Sequence, residues 1–267
     1  MKKSALIIVL FSASCISPRV SITNVPSQAD NIIIDGKLFA TAYQQRAAEY
    51  RALCYQAYNI ARLRVEQNKS QRNEKPKAIM TDVDETVLNN SPYQAQQVLS
   101  GKDYDPASWY NWTSRGEADT VPGALHFFQF AASTGIEIFY VTNRLENERE
   151  GTLKNLQKFN FPNADNQHLL LKSNVSSKEE RKQSIAKTHS IVLLIGDNLN
   201  DVSNLFEKKN WDDRMKVADS FAAEFGDRFI ILPNPVYGDW ESSLYNFNNA
   251  LTAAQKDSVL RASLHSY

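Results

Sequence analysis

Carboxylate side chains follow two apolar stretches of this sequence at short spacing. Asp82 and Asp84 end the run "AIMTDVD", and Asp197 and Asp201 close the segment "LLIGDNLND". Four carboxylates brought together without compensation would repel one another, and their pKa values would rise. A divalent cation removes that repulsion, and an all-oxygen set without nearby His or Cys favours Mg²⁺ over Zn²⁺. These acids therefore predict a magnesium site.

The same residue types could hydrolyse a phosphate ester. An Asp beside a metal ion can attack phosphorus and form an aspartyl phosphate, which water then resolves. A second Asp two residues further along can protonate the leaving oxygen and later deprotonate the water. Thr142, at the end of "IFYVTN", offers a hydroxyl and a backbone N–H to phosphate oxygens. Together these groups predict metal-assisted phosphoryl transfer.

A lysine is also needed, to neutralise the nucleophile and the phosphate in so crowded a site. Lys172 and Lys178 both lie near the end of the third predicted strand. We prefer Lys178 because it opens a predicted helix, where backbone N–H groups also favour anions.

The elements that must position these residues alternate along the chain. Short apolar runs typical of strands alternate with amphipathic stretches of helical period. The runs are "AIMTDV", "IEIFYVTN", "HLLLK", "SIVLLIGDN" and "FIILPN". This order predicts an α/β fold with a Rossmann-like parallel sheet covered by helices on both faces. Active groups in such sheets lie just past the carboxyl ends of strands, where every polar cluster of this sequence falls.

Two further segments frame the predicted sheet. Residues 89–121 interrupt the alternation between the first strand and its returning helix, and their aromatic group includes Trp109. We interpret this insert as a small, mainly helical cap over the site. Apolar residues at helical spacing from about Leu38 to Gln67 predict one long helix packed along one face, with Cys54 as a small buried hydrophobe.

The first residues have the layout of a secretory signal. Two lysines precede an apolar run and small residues that lead to Cys15, and the run is too short to span a bilayer as a stable helix. We expect residues 1–15 to be a signal ending at a lipobox cysteine, with Cys15 acylated, although Ser12 replaces the usual leucine. Residues 16–35 then read as a tether and residues 36–267 as the folded domain. This predicts a bacterial cell-envelope lipoprotein, on the outer membrane and facing the periplasm or the surface.

Composition excludes some partners. The chain has 267 residues, with 30 basic and 30 acidic side chains, so bulk charge does not favour polymeric nucleic acid. Two cysteines provide no disulfide framework for an exported protein. The four histidines have no ligand spacing and are interpreted as surface or core residues. A homo-oligomer stays open, since the aromatic cap could serve as an interface.

The order of these motifs resembles the haloacid dehalogenase superfamily of phosphohydrolases. The longer strings "MTDVDETVLNNSPY" and "LIGDNLNDV" resemble the paired signatures of class C acid phosphatases, bacterial lipoproteins that dephosphorylate nucleotides at acid pH. The resemblance extends to "AEYRALCYQAYN", "VPGA", "YVTNR" and "LPNPVYGDWE". One departure is Val202, where the second signature usually ends in Phe, and we expect it to affect packing.

The resemblance implies a role for each matching residue. Asp82 would be the nucleophile and Asp84 the general acid and base. Mg²⁺ would be held by the Asp82 carboxylate, the Asp84 backbone carbonyl and Asp197, with Asp201 assisting through water or from a second shell.

The remaining roles concern phosphate and leaving group. Thr142 and Asn143 would bind phosphate, and "KEER" matches a family "KxxR" that begins here with Lys178. Trp109 and Tyr237 match the aromatic residues that sandwich the nucleobase or other leaving group. Substrates would be nucleoside monophosphates and other small monoesters.

Two other functions remain open from the residues alone. A nucleotide-sugar glycosyltransferase could use "DVD" as a metal bridge, but it leaves "GDNLND" without a purpose. A non-catalytic surface lipoprotein could capture an aromatic ligand, but capture needs no proton donor at Asp84.

Overall fold

The computed structural model describes residues 31–69 and 74–267. The predicted signal, Cys15 and residues 16–30 of the predicted tether lie outside the described residues. Within the described ranges, no helix has both the length and the apolarity that crossing a bilayer requires.

A five-stranded parallel sheet forms the centre of the molecule, in the order β5-β4-β1-β6-β7. A separate antiparallel pair, β2 and β3, closes the base of the insert. The described strands are β1 (Lys77–Thr81), β2 (Leu88–Asn89), β3 (Asp119–Thr120), β4 (Glu137–Val141), β5 (Leu169–Leu170), β6 (Ser190–Gly196) and β7 (Phe229–Ile231). The predicted α/β class with a parallel sheet is confirmed.

Helices surround this sheet and form the insert. Those in the described part of the chain are α1 (Ile32–Arg46), α2 (Ala48–Asn68), α3 (Ser91–Leu99), α4 (Pro106–Thr113), α5 (Ala124–Ser133), α6 (Arg149–Lys158), α7 (Glu179–Thr188), α8 (Trp211–Ser220), α9 (Asp239–Leu244) and α10 (Ala253–Ser263).

The sheet is buried on both faces because successive strand side chains point to opposite sides. On one face Ile79 belongs to a core cluster with Tyr58 of α2 and Phe128 of α5. On the other face Met80 clusters with Ile185 of α7 and with the buried Val202. Val202 therefore fills a core position, in keeping with the packing effect expected of it. Strands buried this way lose side-chain freedom at their ends, which makes strand ends rigid platforms for a site.

The N-terminal region forms two helices instead of the single predicted helix. Ala47 is extended, with φ −76° and ψ 128°, and it ends α1 and precedes α2. No glycine or proline marks this break, so the sequence gives no signal for it. Helix α1 also begins earlier than predicted, because Asn31 caps it through the backbone N–H of Ile33 at 3.2 Å; residues 32–35 of the predicted tether are therefore helical. Cys54 is fully buried on α2, as predicted.

The insert contains the two helices α3 and α4. Asp105 begins α4 by accepting the backbone N–H of Ser108 at 2.8 Å, and Pro106 stands at its first position, where a missing N–H costs nothing. The β2–β3 pair holds the two ends of the insert together, with Leu88 opposite Thr120. The insert is therefore fixed beside the end of β1.

Candidate active site

The predicted acidic residues meet at the carboxyl edge of the sheet. Asp82 follows β1 and Asp197 follows the adjacent β6, and the backbone N–H of Asp82 donates to the carbonyl of Ile195 at 2.8 Å. Asp82, Asp197 and Asp201 each bring a carboxylate oxygen within 4.8 Å of the others. The strand order thus joins motifs that lie more than a hundred residues apart in the sequence.

Lys178 lies inside this acidic cluster. Its ammonium donates to Asp82 Oδ1 and pairs with Asp201 Oδ1 at 2.7 Å, and the side chain is buried at the N-cap of α7. Burial disfavours the charged ammonium, but Asp201 and Asp82 outweigh burial and raise the pKa of Lys178. Lys172, the alternative, does not line the cavity that contains Lys178.

The pKa values of Asp82 and Asp197 are both raised in this arrangement. Burial raises the pKa of Asp82, Lys178 lowers it, and Asp201 and Asp197 raise it further, with a net rise. Burial, followed by Asp201 and Glu85, raises the pKa of Asp197. Asp197 is held by hydrogen bonds from Thr86 Oγ1 at 3.0 Å and Asn234 Nδ2 at 2.8 Å. Asp82 is therefore buried and Asp197 half-buried, and both are oriented and short of positive charge.

Asp201 reaches the cluster because the chain turns tightly after β6. Its Oδ2 accepts the backbone N–H of Asn198 at 2.9 Å. Gly196 makes this turn fit, since a Cβ at that position would collide with the Asp201 side chain.

The Asp84 carboxylate is not a member of the group formed by Asp82, Asp197 and Asp201. It accepts hydrogen bonds from Arg144 Nη2 at 2.7 Å, Asn90 Nδ2 at 2.8 Å and Thr142 Oγ1 at 3.4 Å. The Asp84 side chain is therefore engaged by the end of β4 and by the insert.

Glu85, which follows Asp84 in "MTDVDETVLNNSPY", is fully buried behind the site. Its backbone is left-handed, with φ 55°, and its carboxylate accepts the N–H of Asn90 at 2.9 Å and the hydroxyl of Tyr237. Burial and then Asp84 raise the pKa of Glu85 to about 8. Glu85 thus fastens the loop after β1 to the segment that carries Tyr237.

Thr142 and Asn143 occupy the end of β4, next to β1. The Thr142 hydroxyl accepts the backbone N–H of Arg144 at 3.1 Å. Arg181, from "KEER", donates to the Thr142 carbonyl at 2.5 Å and to Asn143 Oδ1 at 2.8 Å. Arg181 therefore ties this strand end to the helix that Lys178 begins.

A cavity of about 710 Å³ opens over these residues. Trp109 of α4 and Tyr237 both line it, as do Asp82, Asn143 and Lys178. Trp109 packs edge-on against Tyr93 of α3, with ring centroids 5.0 Å apart. The cap and the C-terminal region thus place the two predicted aromatic residues in the cavity that holds the acids.

Sequence reasoning assigned no role to several residues that fix the site. They are Glu85, Asn90, Arg144, Arg181 and Asn234. Arg144 and Arg181 stand inside the quoted motifs "VTNR" and "KEER", and adjacency to Thr142 and Lys178 was the available signal. Asn234 stands in "LPNPVYGDWE", where nothing local indicates a contact with Asp197.

Comparison with known proteins identifies the family. Residues 13–240 match the family model of the HAD superfamily, subfamily IIIB (acid phosphatase). The class C acid phosphatase from Bacillus anthracis is 40% identical with a TM-score of 0.85, over 88% of this chain and 99% of that chain. Its tungstate-bound crystal structure gives 40% and 0.84, over 88% and 98%. Vegetative storage protein 2 from Arabidopsis thaliana is 25% identical over 82% of this chain and 74% of its own length.

These findings confirm the resemblance in the motifs and agree with the geometry of the site. They favour phosphomonoester hydrolysis over glycosyl transfer and over passive capture. The chain belongs to the acid phosphatases of subfamily IIIB of the HAD superfamily and is a phosphoric monoester hydrolase.

Proposed function

We propose that this protein is a Mg²⁺-dependent acid phosphatase that hydrolyses 5′-nucleotides and other small monoesters through an aspartyl phosphate. The observation that carries the proposal is the convergence of Asp82, Asp197 and Asp201 around Lys178 in one cavity. Family membership supplies the reaction class. The metal, the covalent intermediate and the nucleotide preference are the proposed additions.

The residues present fit a hard divalent cation. Three carboxylates face one ammonium group, so the cluster carries surplus negative charge, and every donor is oxygen. Asp82, Asp197 and the Asp84 carbonyl would hold Mg²⁺, with Asp201 assisting. When bound, the ion would neutralise charge on the carboxylates and on the phosphate oxygens.

Asp82 is the proposed nucleophile. Lys178 engages Oδ1 of Asp82, which leaves Oδ2 as the other oxygen available for attack or for metal binding. An Asp82 oxygen bonds to phosphorus while the bond from phosphorus to the ester oxygen breaks, and Asp84 gives that oxygen a proton. Asp84 then takes a proton from water as the water oxygen displaces Asp82 from phosphorus.

Phosphate binding is assigned to groups beside Asp82, at the end of β4 and at the start of α7. Thr142 and Asn143 lie at the end of β4, beside β1, and Lys178 supplies the positive charge. The tungstate bound to the Bacillus anthracis class C acid phosphatase supports an oxyanion site in this family, since tungstate is a tetrahedral oxyanion like phosphate.

The leaving group would lie against the aromatic side chains. Trp109 and Tyr237 line the cavity, and stacking on aromatic faces tolerates different bases. This supports nucleoside monophosphates as substrates along with other small esters.

A phosphate-release assay tests the proposal. Protein treated with EDTA is expected to release no phosphate from a nucleoside 5′-monophosphate, and added Mg²⁺ is expected to restore release. Rapid acid quench with a substrate labelled in the phosphoryl group should trap labelled protein, and Asp82→Asn should trap none. Full activity in EDTA would contradict the metal assignment, and equal trapping in Asp82→Asn would contradict the intermediate.

We also propose that the protein is exported to the bacterial cell envelope as an outer-membrane lipoprotein. The layout of residues 1–15 supports this, and acylation of Cys15 would provide the membrane partner. Labelled fatty acid should enter the wild-type protein but not Cys15→Ser. Cross-linking of purified protein tests whether the chain forms a homo-oligomer.

A further inference from the structure

Arg144 is a buried cation that no step of the proposed reaction yet uses. It is 2% exposed and lies two residues after Thr142. We propose that Arg144 is a positioning residue that holds the Asp84 carboxylate in the orientation needed to protonate the leaving group. The inference rests on the proposed role of Asp84 as general acid. It adds that Arg144 orients the Asp84 carboxylate for that role.

The contact between the two side chains is a fork. Arg144 Nη2 donates to Asp84 Oδ1 at 2.7 Å, and Nε lies 3.1 Å from Oδ1 and 3.2 Å from Oδ2. A planar guanidinium in this arrangement fixes the plane of the carboxylate as well as its position. A lysine at this position would supply the charge without fixing the plane.

The hydrogen bonds divide the two Asp84 oxygens into different roles. Oδ1 takes the short bonds from Arg144 Nη2 and from Asn90 Nδ2 at 2.8 Å. Among the residues that the structure describes, Oδ2 receives two longer contacts, from Arg144 Nε and from Thr142 Oγ1 at 3.4 Å. Oδ2 is therefore the oxygen available to exchange a proton with the leaving group.

Arg144 is itself fixed from the opposite side. Nη1 donates to Thr152 Oγ1 of α6 at 3.0 Å. The guanidinium carbon also lies 5.7 Å from the centre of the Trp109 ring. Because Trp109 belongs to the leaving-group wall of the cavity, Arg144 holds Asp84 beside the place where the leaving oxygen would lie.

A link to the cap runs through Glu148. Thr152 Oγ1 donates to the Glu148 carbonyl at 2.7 Å, and Glu148 Oε1 accepts the hydroxyl of Thr113, at the end of α4, at 2.8 Å. The same group of hydrogen bonds therefore fixes the cap and the guanidinium that orients Asp84.

The consequence is a dependence on leaving group. A p-nitrophenolate leaves as a stable anion and needs little protonation, whereas the alkoxide of a nucleoside needs a proton as the bond to phosphorus breaks. If Asp84 is present but wrongly oriented, the rate of nucleotide hydrolysis should therefore fall much more than the rate of p-nitrophenyl phosphate hydrolysis. A merely structural loss would lower both rates alike.

The test compares kcat/KM for these two substrates in saturating Mg²⁺. This ratio covers the steps up to departure of the leaving group and excludes the later hydrolysis of the aspartyl phosphate, in which Asp84 acts on water for both substrates alike. Arg144→Lys should lower kcat/KM for a nucleoside 5′-monophosphate by roughly 10²-fold, within the usual range for general acid catalysis, and for p-nitrophenyl phosphate by only about 3-fold. Arg144→Met should show the same pattern at least as strongly. Equal losses on the two substrates would overturn the proposal.

Substitutions at Thr152 test the same arrangement while Arg144 itself stays in place, so the result does not depend on the folding of an Arg144 variant. Thr152→Val removes the hydroxyl that fixes Nη1, and Thr152→Ser retains it. Thr152→Val should show the same selectivity with a smaller loss, and Thr152→Ser should restore the wild-type ratio. If Thr152→Val lowers both rates alike, Arg144 does not act through its orientation.

Two controls separate the possible failures. Arg214→Lys replaces another buried arginine, which donates to the Phe206 carbonyl at 2.7 Å, and should leave the ratio of the two rates unchanged. Asp84→Asn should itself be selective against the nucleotide. If Asp84→Asn is selective and Arg144→Lys is not, only the positioning role fails; if Asp84→Asn is not selective, the proposed acid role of Asp84 fails first.

Discussion

Carboxylates lie beside basic side chains at both ends of the parallel sheet. The pKa values of these carboxylates nevertheless shift in opposite directions at the two ends. At the carboxyl end, the pKa values of Asp82 and Asp197 are raised. At the amino end Glu137 begins β4, and its Oε2 lies 3.2 Å from His168 Nε2 and 3.3 Å from His189 Nε2. There the hydrogen bond from His168 outweighs burial and lowers the pKa of Glu137.

Burial and like charge explain the difference. Glu137 keeps 39% of its side chain exposed and lies between two basic residues, whereas Asp82 and Asp197 are enclosed with other acids around one lysine. An arrangement that lowers stability persists where a ligand compensates for it. The contrast supports the proposed cation and phosphate site at the acidic end, whereas the histidine contacts connect the starts of neighbouring segments at the other end.

Removing one carboxylate at each end gives the largest expected contrast. Asp82→Asn should lower kcat by at least about 10⁴-fold, since it removes the proposed nucleophile. Glu137→Gln, the matched change at the other end, should leave kcat unchanged. Substantial activity in Asp82→Asn, measured as phosphate release, would refute the assignment of the nucleophile.

Added Mg²⁺ should stabilise the folded protein through the acids at the carboxyl end of the sheet and not through Glu137. Mg²⁺ at about 100 times its dissociation constant should stabilise the folded protein by about 2.7 kcal/mol. Wild type and Glu137→Gln should gain equally, while Asp197→Asn should gain much less. Thermal unfolding with EDTA and with Mg²⁺ measures this, and an equal gain in Asp197→Asn would place the cation elsewhere.

The pH dependence of the metal-free protein should sharpen the contrast further. The pKa of Asp197 is higher in the folded protein than in the unfolded chain. Its contribution to folding stability is therefore fully present below the pKa of the unfolded chain, and it is lost as pH rises through the pKa of the folded protein. Asp197→Asn removes this loss, so its melting temperature in EDTA should rise relative to wild type between pH 4 and pH 7, by about 2–4 °C for ~1 kcal/mol. Because Asn keeps an acceptor for Thr86, the comparison between two pH values isolates the charge. A constant difference at both pH values would contradict this account.

The smallest effect is expected at the histidine end. The pKa of Glu137 is lower in the folded protein than in the unfolded chain. Its contribution to folding stability is therefore present above the pKa of the unfolded chain, and it is lost as pH falls through the pKa of the folded protein. Glu137→Gln should therefore cost less than about 1 kcal/mol near pH 6, because exposed pairs are screened, and should cost nothing well below the lowered pKa. Denaturant unfolding at pH 6 and pH 3 measures the difference, and a cost that grows on acidification would reverse the sign we assign.

Prediction from sequence succeeded where a local pattern carries the information. Alternating apolar runs predicted the parallel sheet, and Asp82, Thr142 and Asp197 do follow strand ends, while their catalytic roles stay predictions. The single predicted helix over Leu38–Gln67 failed at Ala47, because nothing local distinguishes that alanine from its helical neighbours. The signal, the lipidation of Cys15 and the cell-envelope location stay predictions.

Periodicity and like-charge repulsion can be read from neighbouring residues along the chain, so the amino-acid order predicts which residues stand at the strand ends and predicts a cation among their charges. Which hydrogen-bond donor contacts each acid depends instead on the folded arrangement. Arg144 reaches Asp84 across 60 residues and Asn234 reaches Asp197 across 37, because β4, β1, β6 and β7 lie side by side in the sheet. Such contacts depend on strand order and side-chain direction, which no short stretch of sequence contains.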